Sequence, residues 1–236
     1  MSAHISPCPN CTPAELFQSA VMNEDEWART HGVIVTRRAV KKGALLYHCG
    51  QAFDYLCAVR TGAFKSSTIA ESNEETVIGF HLPGELLGSD GLLRKRHEVE
   101  VRALVDSDVC VISASEVLQL MEDVAPVKQF FFQNVTDEVH RMRRFLLLLN
   151  QRGAEQRLAT FLLNFAKRLH KRGYSPTDMV LPMGRADIAS YLGLKQETVS
   201  RSFALLSEYG YIAVDNRDIR ILQHDALRQF RTKRLA

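Results

Sequence analysis

Glu197, Ser200 and Arg201 stand at i, i+3 and i+4 within RADIASYLGLKQETVSRSFALLSEY, residues 185–209. On a helix these three side chains share one face, with Gln196 at its start. An acceptor, a small hydroxyl and a bidentate donor on such a face suit the edges of bases in a DNA major groove. A solvated helix carrying a Glu–Arg pair has the same pattern, so the surrounding elements must decide. A second set of reactive residues is the pair Cys8 and Cys11, spaced C-x2-C, with Cys110 far along the chain. Thiolates at that spacing fit a metal ligand pair or a dithiol switch. Catalysis finds no such set. His48, His81, His97, His140, His170 and His224 are scattered, and GELLGSDG lacks the G-x-S-x-G spacing. The chain reads as a non-enzyme.

The reading face needs a helix held by its opposite side. Ile188, Ala189, Leu192, Leu194, Val199, Phe203 and Leu206 supply apolar positions for two helices joined by a turn at Gly193. Ala189 is small where the helices cross, and Gly193 is free to take φ > 0. Tyr211–Val214 and Ile219–Leu222 flank Asp215–Asp218, a turn-forming stretch, and so predict a hairpin. Helix-turn-helix followed by a two-stranded wing is the winged-helix arrangement.

Upstream, Pro126 fits the first turn of a long helix running to about Asn150. Phe132, Val135, Val139, Met142, Leu146 and Leu149 recur at alternating steps of three and four, a heptad seam that predicts a parallel homodimer. Phe130, Phe131, Phe145, Leu147 and Leu148 remain for packing on the protein's own barrel. Gly153 interrupts the helix, and Glu155–Lys171 forms the next one.

Residues 1–14 contain Pro7, Pro9 and Pro13 and read as a loop. Asn23 and Glu26 form a capping box for a short helix. From Val33 to Ile112 the chain consists of strand-length segments punctuated by glycine, the mark of an antiparallel barrel or sandwich. Ser113 and Glu116 then cap a helix to Met121. The chain is thus α+β. Its expected divisions are an N-terminal cysteine-containing segment 1–22, a sensory β domain 23–124, a dimerisation helix 125–151 and a winged-helix DNA-binding domain 152–236.

Bulk properties agree with this division. The 236 residues allow two modest domains, and 46% hydrophobic with 24% charged residues fits a globular chain. The net charge is only +3, but Arg141, Arg143, Arg144, Arg152, Arg157, Lys167, Arg168, Lys171 and Arg172 crowd the segment before the helix-turn-helix, and RQFRTKRLA ends the chain. That concentration favours contact with phosphates. No apolar run approaches the length of a membrane span, and MSAHISPCPNC lacks a signal pattern, so the expected location is the cytoplasm. Five cysteines, an odd number, argue against a disulfide scaffold.

A glycine-punctuated barrel, a long dimer helix and a C-terminal winged helix together resemble the cyclic-AMP receptor protein / fumarate-nitrate regulator (CRP/FNR) family. GFHLPGELLGSDGL, LLLNQRGAEQRLATFL and DIASYLGLKQETVSR are the closest stretches and look like the fumarate-nitrate branch. The resemblance covers nearly the whole chain. It implies a β-roll sensory domain and a DNA-binding transcription regulator of anaerobic or redox-responsive genes, with RNA polymerase as a partner. Glu197, Ser200 and Arg201 fall on that branch's E-x-x-S-R pattern, which implies TTGAT half-sites in an inverted repeat. Gln196 stands where the cyclic-AMP receptor protein has a further arginine. The stretches Ser72–Glu75 and Arg94–His97 fall where the polymerase could be touched.

The resemblance also bears on the signal. In the cyclic-nucleotide branch a G-E pair and an R-[ST] pair hold the ligand; here they read Gly84-Glu85 and His97-Glu98. A carboxylate in place of a phosphate acceptor disfavours cyclic AMP. In the oxygen-sensing branch three N-terminal cysteines and one barrel cysteine hold an iron–sulfur cluster. Cys8, Cys11 and Cys110 match three of these ligands, while the third N-terminal position falls at or near Phe17. Four thiolates are the usual set. A carboxylate, His4, Cys49 or Cys57 would have to complete it; otherwise Cys8 and Cys11 are a remnant, a dithiol switch or part of a zinc site. The alternative is a β-roll dimer that senses a small molecule and carries no cluster.

Overall fold

The glycine-punctuated segments become strands in the computed structural model, which describes residues 6–7, 17, 22–30, 33, 35–69, 74–150 and 153–230. Strands β1 (Ser6–Pro7), β2 (Thr36–Val40), β3 (Leu45–Tyr47), β4 (Tyr55–Thr61), β5 (Phe64–Ile69), β6 (Glu75–His81), β7 (Leu86–Leu87), β8 (Glu100–Ala103) and β9 (Ser107–Ser113) form two sheets. Their orders are β1-β2-β9-β4-β7 and β3-β8-β5-β6. The described residues divide into two units, Met1–Thr68 with Ile78–His140 and Ile69–Val77 with Arg141–Ala236.

Strand β9 is central to the first unit. It pairs antiparallel with β2 on one side and β4 on the other, with Cys110 opposite both Arg37 and Ala58. Alternate residues of a strand face opposite sides of the sheet, so β9 and β4 feed two separate cores. Cys110, Ile112, Leu56 and Ala58 enter one, together with Phe17, Val117, Leu120, Phe130 and Phe131. Val109, Val111, Cys57 and Val59 enter the other, with Leu46, Tyr47, Phe64 and Val101.

Helix α1 (Glu24–Thr30) starts as the sequence predicts: the Glu26 N–H donates to Asn23 Oδ1 and the Asn23 N–H to Glu26 Oε2, both at 2.9 Å. Beyond β7, GLLR folds into one helical turn, α2 (Gly91–Arg94). Helix α3 (Ala114–Asp123) carries the Ser113–Glu116 capping box, and α4 (Ala125–Leu149) is the long helix.

Some expectations change. Ser6 and Pro7 lie in a strand against Arg37 and Thr36 rather than in a loop. Proline is tolerated there because β1 is an edge strand. Phe130 and Phe131 are buried in the roll core as expected, but Leu148 is buried within the second unit, Phe145 packs on Tyr191 there, and Leu147 is 68% exposed and joins the outward side of α4. Cys8, Cys11 and His4 lie outside the described residues, as do Ser72, Arg152 and the terminal stretch 231–236.

In the second unit, α5 (Ala154–His170), β10 (Asp178–Val180), α6 (Arg185–Leu192), α7 (Gln196–Glu208), β11 (Ile212–Asp215), β12 (Asp218–Ile221) and α8 (His224–Phe230) follow in order. Asp215 pairs with Asp218 around a two-residue turn, and β10 adds a third strand beside β12. Asn216, at φ 53°, occupies the left-handed region that asparagine tolerates. Gly193 takes φ 62°, and the Leu194 N–H reaches back to the Ala189 carbonyl at 3.0 Å, closing the end of α6.

A Cβ at Gly193 would meet only Leu149 Cδ2 at 3.8 Å and Arg157 Nη1 at 3.9 Å, which are ordinary contacts. The backbone conformation alone therefore sets the effect of substitution. Gly193→Ala is expected to destabilise the chain by about 1–2 kcal/mol, Gly193→Asn by less and Gly193→Val by more, read by urea denaturation.

Candidate nucleic-acid interface

The rotation of α7 about its axis is set by what it buries. Val199, Phe203 and Leu206 are at most 3% exposed, and Ser202 is fully buried. Gln196, Glu197, Ser200 and Arg201 occupy the opposite side, and all four are exposed. The four residues expected to read bases are thus brought onto one outward face, in the first two turns of the helix.

Side chains the sequence reading passed over hold this helix in place. The Arg185 guanidinium lies 3.4 Å from the centre of the Phe203 ring and donates to the Asn216 carbonyl at 3.2 Å. One cation therefore ties α6 to both α7 and the wing turn. Burial lowers its pKa from the ordinary arginine value. Arg157 on α5 donates to the Leu192 carbonyl at 3.0 Å, satisfying a carbonyl at the end of α6. The Gly184 N–H donates to Asp187 Oδ2 at 3.1 Å at the start of α6. The wing is braced by Arg220 Nε, 2.5 Å from Asp178 Oδ1 on β10. Sequence alone places Arg157 in a basic crowd and reveals the partners of none of these residues.

The seam residues of α4 are outward too: Phe132, Val135, Val139, Met142 and Leu146 are 40–62% exposed. Leu149 differs. It is half-buried, with its Cδ2 beside Gly193, so the last seam position serves the helix-turn-helix of its own chain.

In the first unit the two family pairs are occupied by the protein itself. Glu85 is buried, and its carboxylate accepts the Leu82 N–H at 3.1 Å. His97 is buried and stacks on Tyr47, with ring centres 3.7 Å apart, while Phe53 meets it edge-on at 5.6 Å. Its Nδ1 lies 3.4 Å from Asp90 Oδ1. Burial pushes the Asp90 pKa up, but the bond to His97 and the N–H of Glu98 at 2.7 Å outweigh it, so the carboxyl titrates below its ordinary value. The Glu98 carboxylate pairs with Arg94 Nε at 2.9 Å. Ser89, next to Asp90, donates to Glu138 of α4 at 3.2 Å.

Among the described residues the cysteines Cys49, Cys57 and Cys110 do not assemble a cluster site. Cys57 faces the core opposite to that of Cys110, and burial pushes its thiol up to about 12. Its recruitment as a ligand beside Cys110 is therefore corrected: the pleat sends the two side chains to opposite sides of the sheet. Cys49 is exposed, with Sγ 3.3 Å from the Glu98 carbonyl. Phe17, at the expected ligand position, is fully buried in the core that contains Cys110. Among the described residues no group of three or more His, Cys, Asp or Glu can hold a metal ion. The donor set present there does not fit a four-thiolate iron–sulfur cluster.

Comparison with known proteins follows the same division. The family model for a Crp-like helix-turn-helix domain matches residues 156–230, and that for a cyclic nucleotide-binding domain matches residues 37–124. The chain is 33% identical over 229 residues to the transcriptional regulatory protein btr of Bordetella pertussis, covering 97% of this chain and 95% of that protein. It is 34% identical over 222 residues to the fumarate and nitrate reduction regulatory protein of Escherichia coli K12, covering 94% and 89%. Among solved structures, FixK2 from Bradyrhizobium japonicum superposes with a TM-score of 0.77 at 28% identity, covering 84% of this chain and 97% of that one. No described helix is long and apolar enough to cross a membrane.

Arg185→Ala is expected to lower stability by about 1 kcal/mol through loss of the contact with Phe203. Operator affinity should fall without a change in base preference, which competition between half-site variants would measure.

Proposed function

The chain belongs to the CRP/FNR family of DNA-binding transcriptional regulators, and on that premise we propose that it acts as a homodimer reading an inverted repeat of TTGAT-like half-sites. The observation that carries this reading is the outward face of α7, where Gln196, Glu197, Ser200 and Arg201 are exposed opposite a fully packed stripe. Arg201 donates two bonds to guanine O6 and N7, Glu197 accepts from cytosine N4, and Ser200 meets a thymine. The wing and the basic residues before α6 supply phosphate contacts that position the helix without specifying sequence.

The exposed seam of α4 supports the dimer. Five apolar side chains along one stripe lose water when a second copy covers them, and no charged residue interrupts the stripe. Two-fold pairing of reading heads matches two half-sites about one helical turn apart.

The names of the relatives bear on the target genes. One relative is named for fumarate and nitrate reduction, and Anr of Pseudomonas protegens, 34% identical over 215 residues, is named a transcriptional activator. This chain is accordingly read as an activator of anaerobic or redox-responsive genes, working through RNA polymerase. Exposed Glu74–Glu75 and Arg94–Arg96 are its candidate contacts. Cyclic AMP is not the proposed signal, because Glu98 brings a carboxylate to the phosphate position and Arg94 is already paired with it. The proposed activity is binding alone, without catalysis.

Arg201→Ala is expected to cost about 1–3 kcal/mol per half-site and to abolish specific binding in a gel-shift assay, with near-normal affinity counting against the assignment. Wild-type affinity should fall steeply as salt rises. Leu146→Glu is expected to weaken dimerisation by about tenfold or more in sedimentation analysis, with operator binding lost in parallel.

A further inference from the structure

We propose that this chain fastens its N-terminal segment to the roll with an aromatic wedge, Phe17, where an iron–sulfur ligand would otherwise stand, and that its DNA binding is indifferent to oxygen. The second half of this inference rests on the regulator reading above; the first half does not.

Phe17 is fully buried, although it lies in a stretch otherwise rich in proline and small polar residues. Its ring meets Phe130 edge-on at 5.4 Å and Phe131 at 6.3 Å, and those two rings meet each other at 5.7 Å. Three mutually edge-on rings are a favourable aromatic arrangement. Phe130 and Phe131 belong to the early turns of α4, the helix that carries the seam. Cys110 and its neighbours Leu56, Ala58 and Ile112 share the same core. A ligand at position 17 would link the N-terminal segment to Cys110 through a metal. Phe17 makes a comparable link directly, by filling the apolar space between β9 and the start of α4.

The position of Cys110 agrees with this. Among the described residues Cys110 packs with Phe17, Leu56, Ala58 and Ile112, and Cys57 is turned to the other side of the sheet. Cys8, Cys11 and Cys110 together offer three thiolates, fewer than the usual four of a four-iron cluster. The second described anchor of the segment, pairing of Ser6–Pro7 with Thr36 and Arg37, requires no metal either. The seam is uninterrupted by charge, so no cofactor is needed to overcome repulsion between the two copies.

The test uses the full-length chain purified in parallel under nitrogen and in air. Iron and acid-labile sulfide are expected below about one atom per ten chains, against about four of each for a loaded cluster. Operator affinities of the two preparations are expected to agree within about twofold. Near-stoichiometric cluster iron, or an affinity that falls about tenfold in air, would overturn the proposal. Limited proteolysis tests the wedge separately. Phe17→Ala should speed cleavage within residues 1–22 by about tenfold and Phe17→Leu by less, and unchanged cleavage in Phe17→Ala would overturn it. Neither iron content nor cleavage involves DNA. An iron-free, protease-resistant chain that binds no operator would therefore count against the regulator reading and not against the wedge.

Discussion

Val199, Phe203 and Leu206 lie along one stripe of α7, and their burial against the rest of the second unit fixes the angle at which the helix sits about its axis. Each residue on a helix is about 100° round from the last, so a slip of one residue would turn the Arg201 face away from the outside. Everything that makes this unit a reader of DNA depends on that rotation being unique. The supporting contacts act on it from three sides. Arg157 closes the preceding turn, Arg185 lies on the Phe203 ring, and the Asn216 turn of the wing is held by the same Arg185. Of the arginines crowded before the helix-turn-helix, Arg143 and Arg144 are exposed, while Arg157 holds the scaffold.

The roll shows a different logic. Its central strand separates two cores, and the same alternation that makes the sheet stable decides which cysteines can cooperate. Cys110 and Cys57 lie on adjacent paired strands, yet they face apart. In the region where the family's cyclic-nucleotide branch holds a ligand, this chain stacks His97 on Tyr47 and pairs Glu98 with Arg94.

Much of this was legible in the sequence because it follows local rules. The capping boxes at Asn23–Glu26 and Ser113–Glu116, the turn at Gly193, the wing around Asn216 and the heptad steps of α4 are all short-range patterns. What stayed hidden was long-range. Nothing near Arg185 in the sequence points to Phe203 or Asn216, and nothing near His97 points to Tyr47. Leu147 departs from the expected barrel packing because both of α4's faces are apolar near its end, and only three-dimensional packing shows that Leu147 faces outward while Leu149 lies near Gly193. The short strand β7 and the single turn α2 escaped because glycine punctuation does not distinguish a loop from a brief regular element.

The exposed stripe on α4 has a consequence in the cell that does not involve any ligand. In the proposed dimer the reading head is assembled by a second-order process, so at low expression the concentration of competent regulator grows with the square of the number of chains made. A doubling of synthesis would then raise operator occupancy by more than twofold, and a protease that removes half the chains would silence the target disproportionately. On the proposal that Phe17 stands in for a cofactor ligand, the balance of synthesis and turnover is what sets the amount of the proposed dimer.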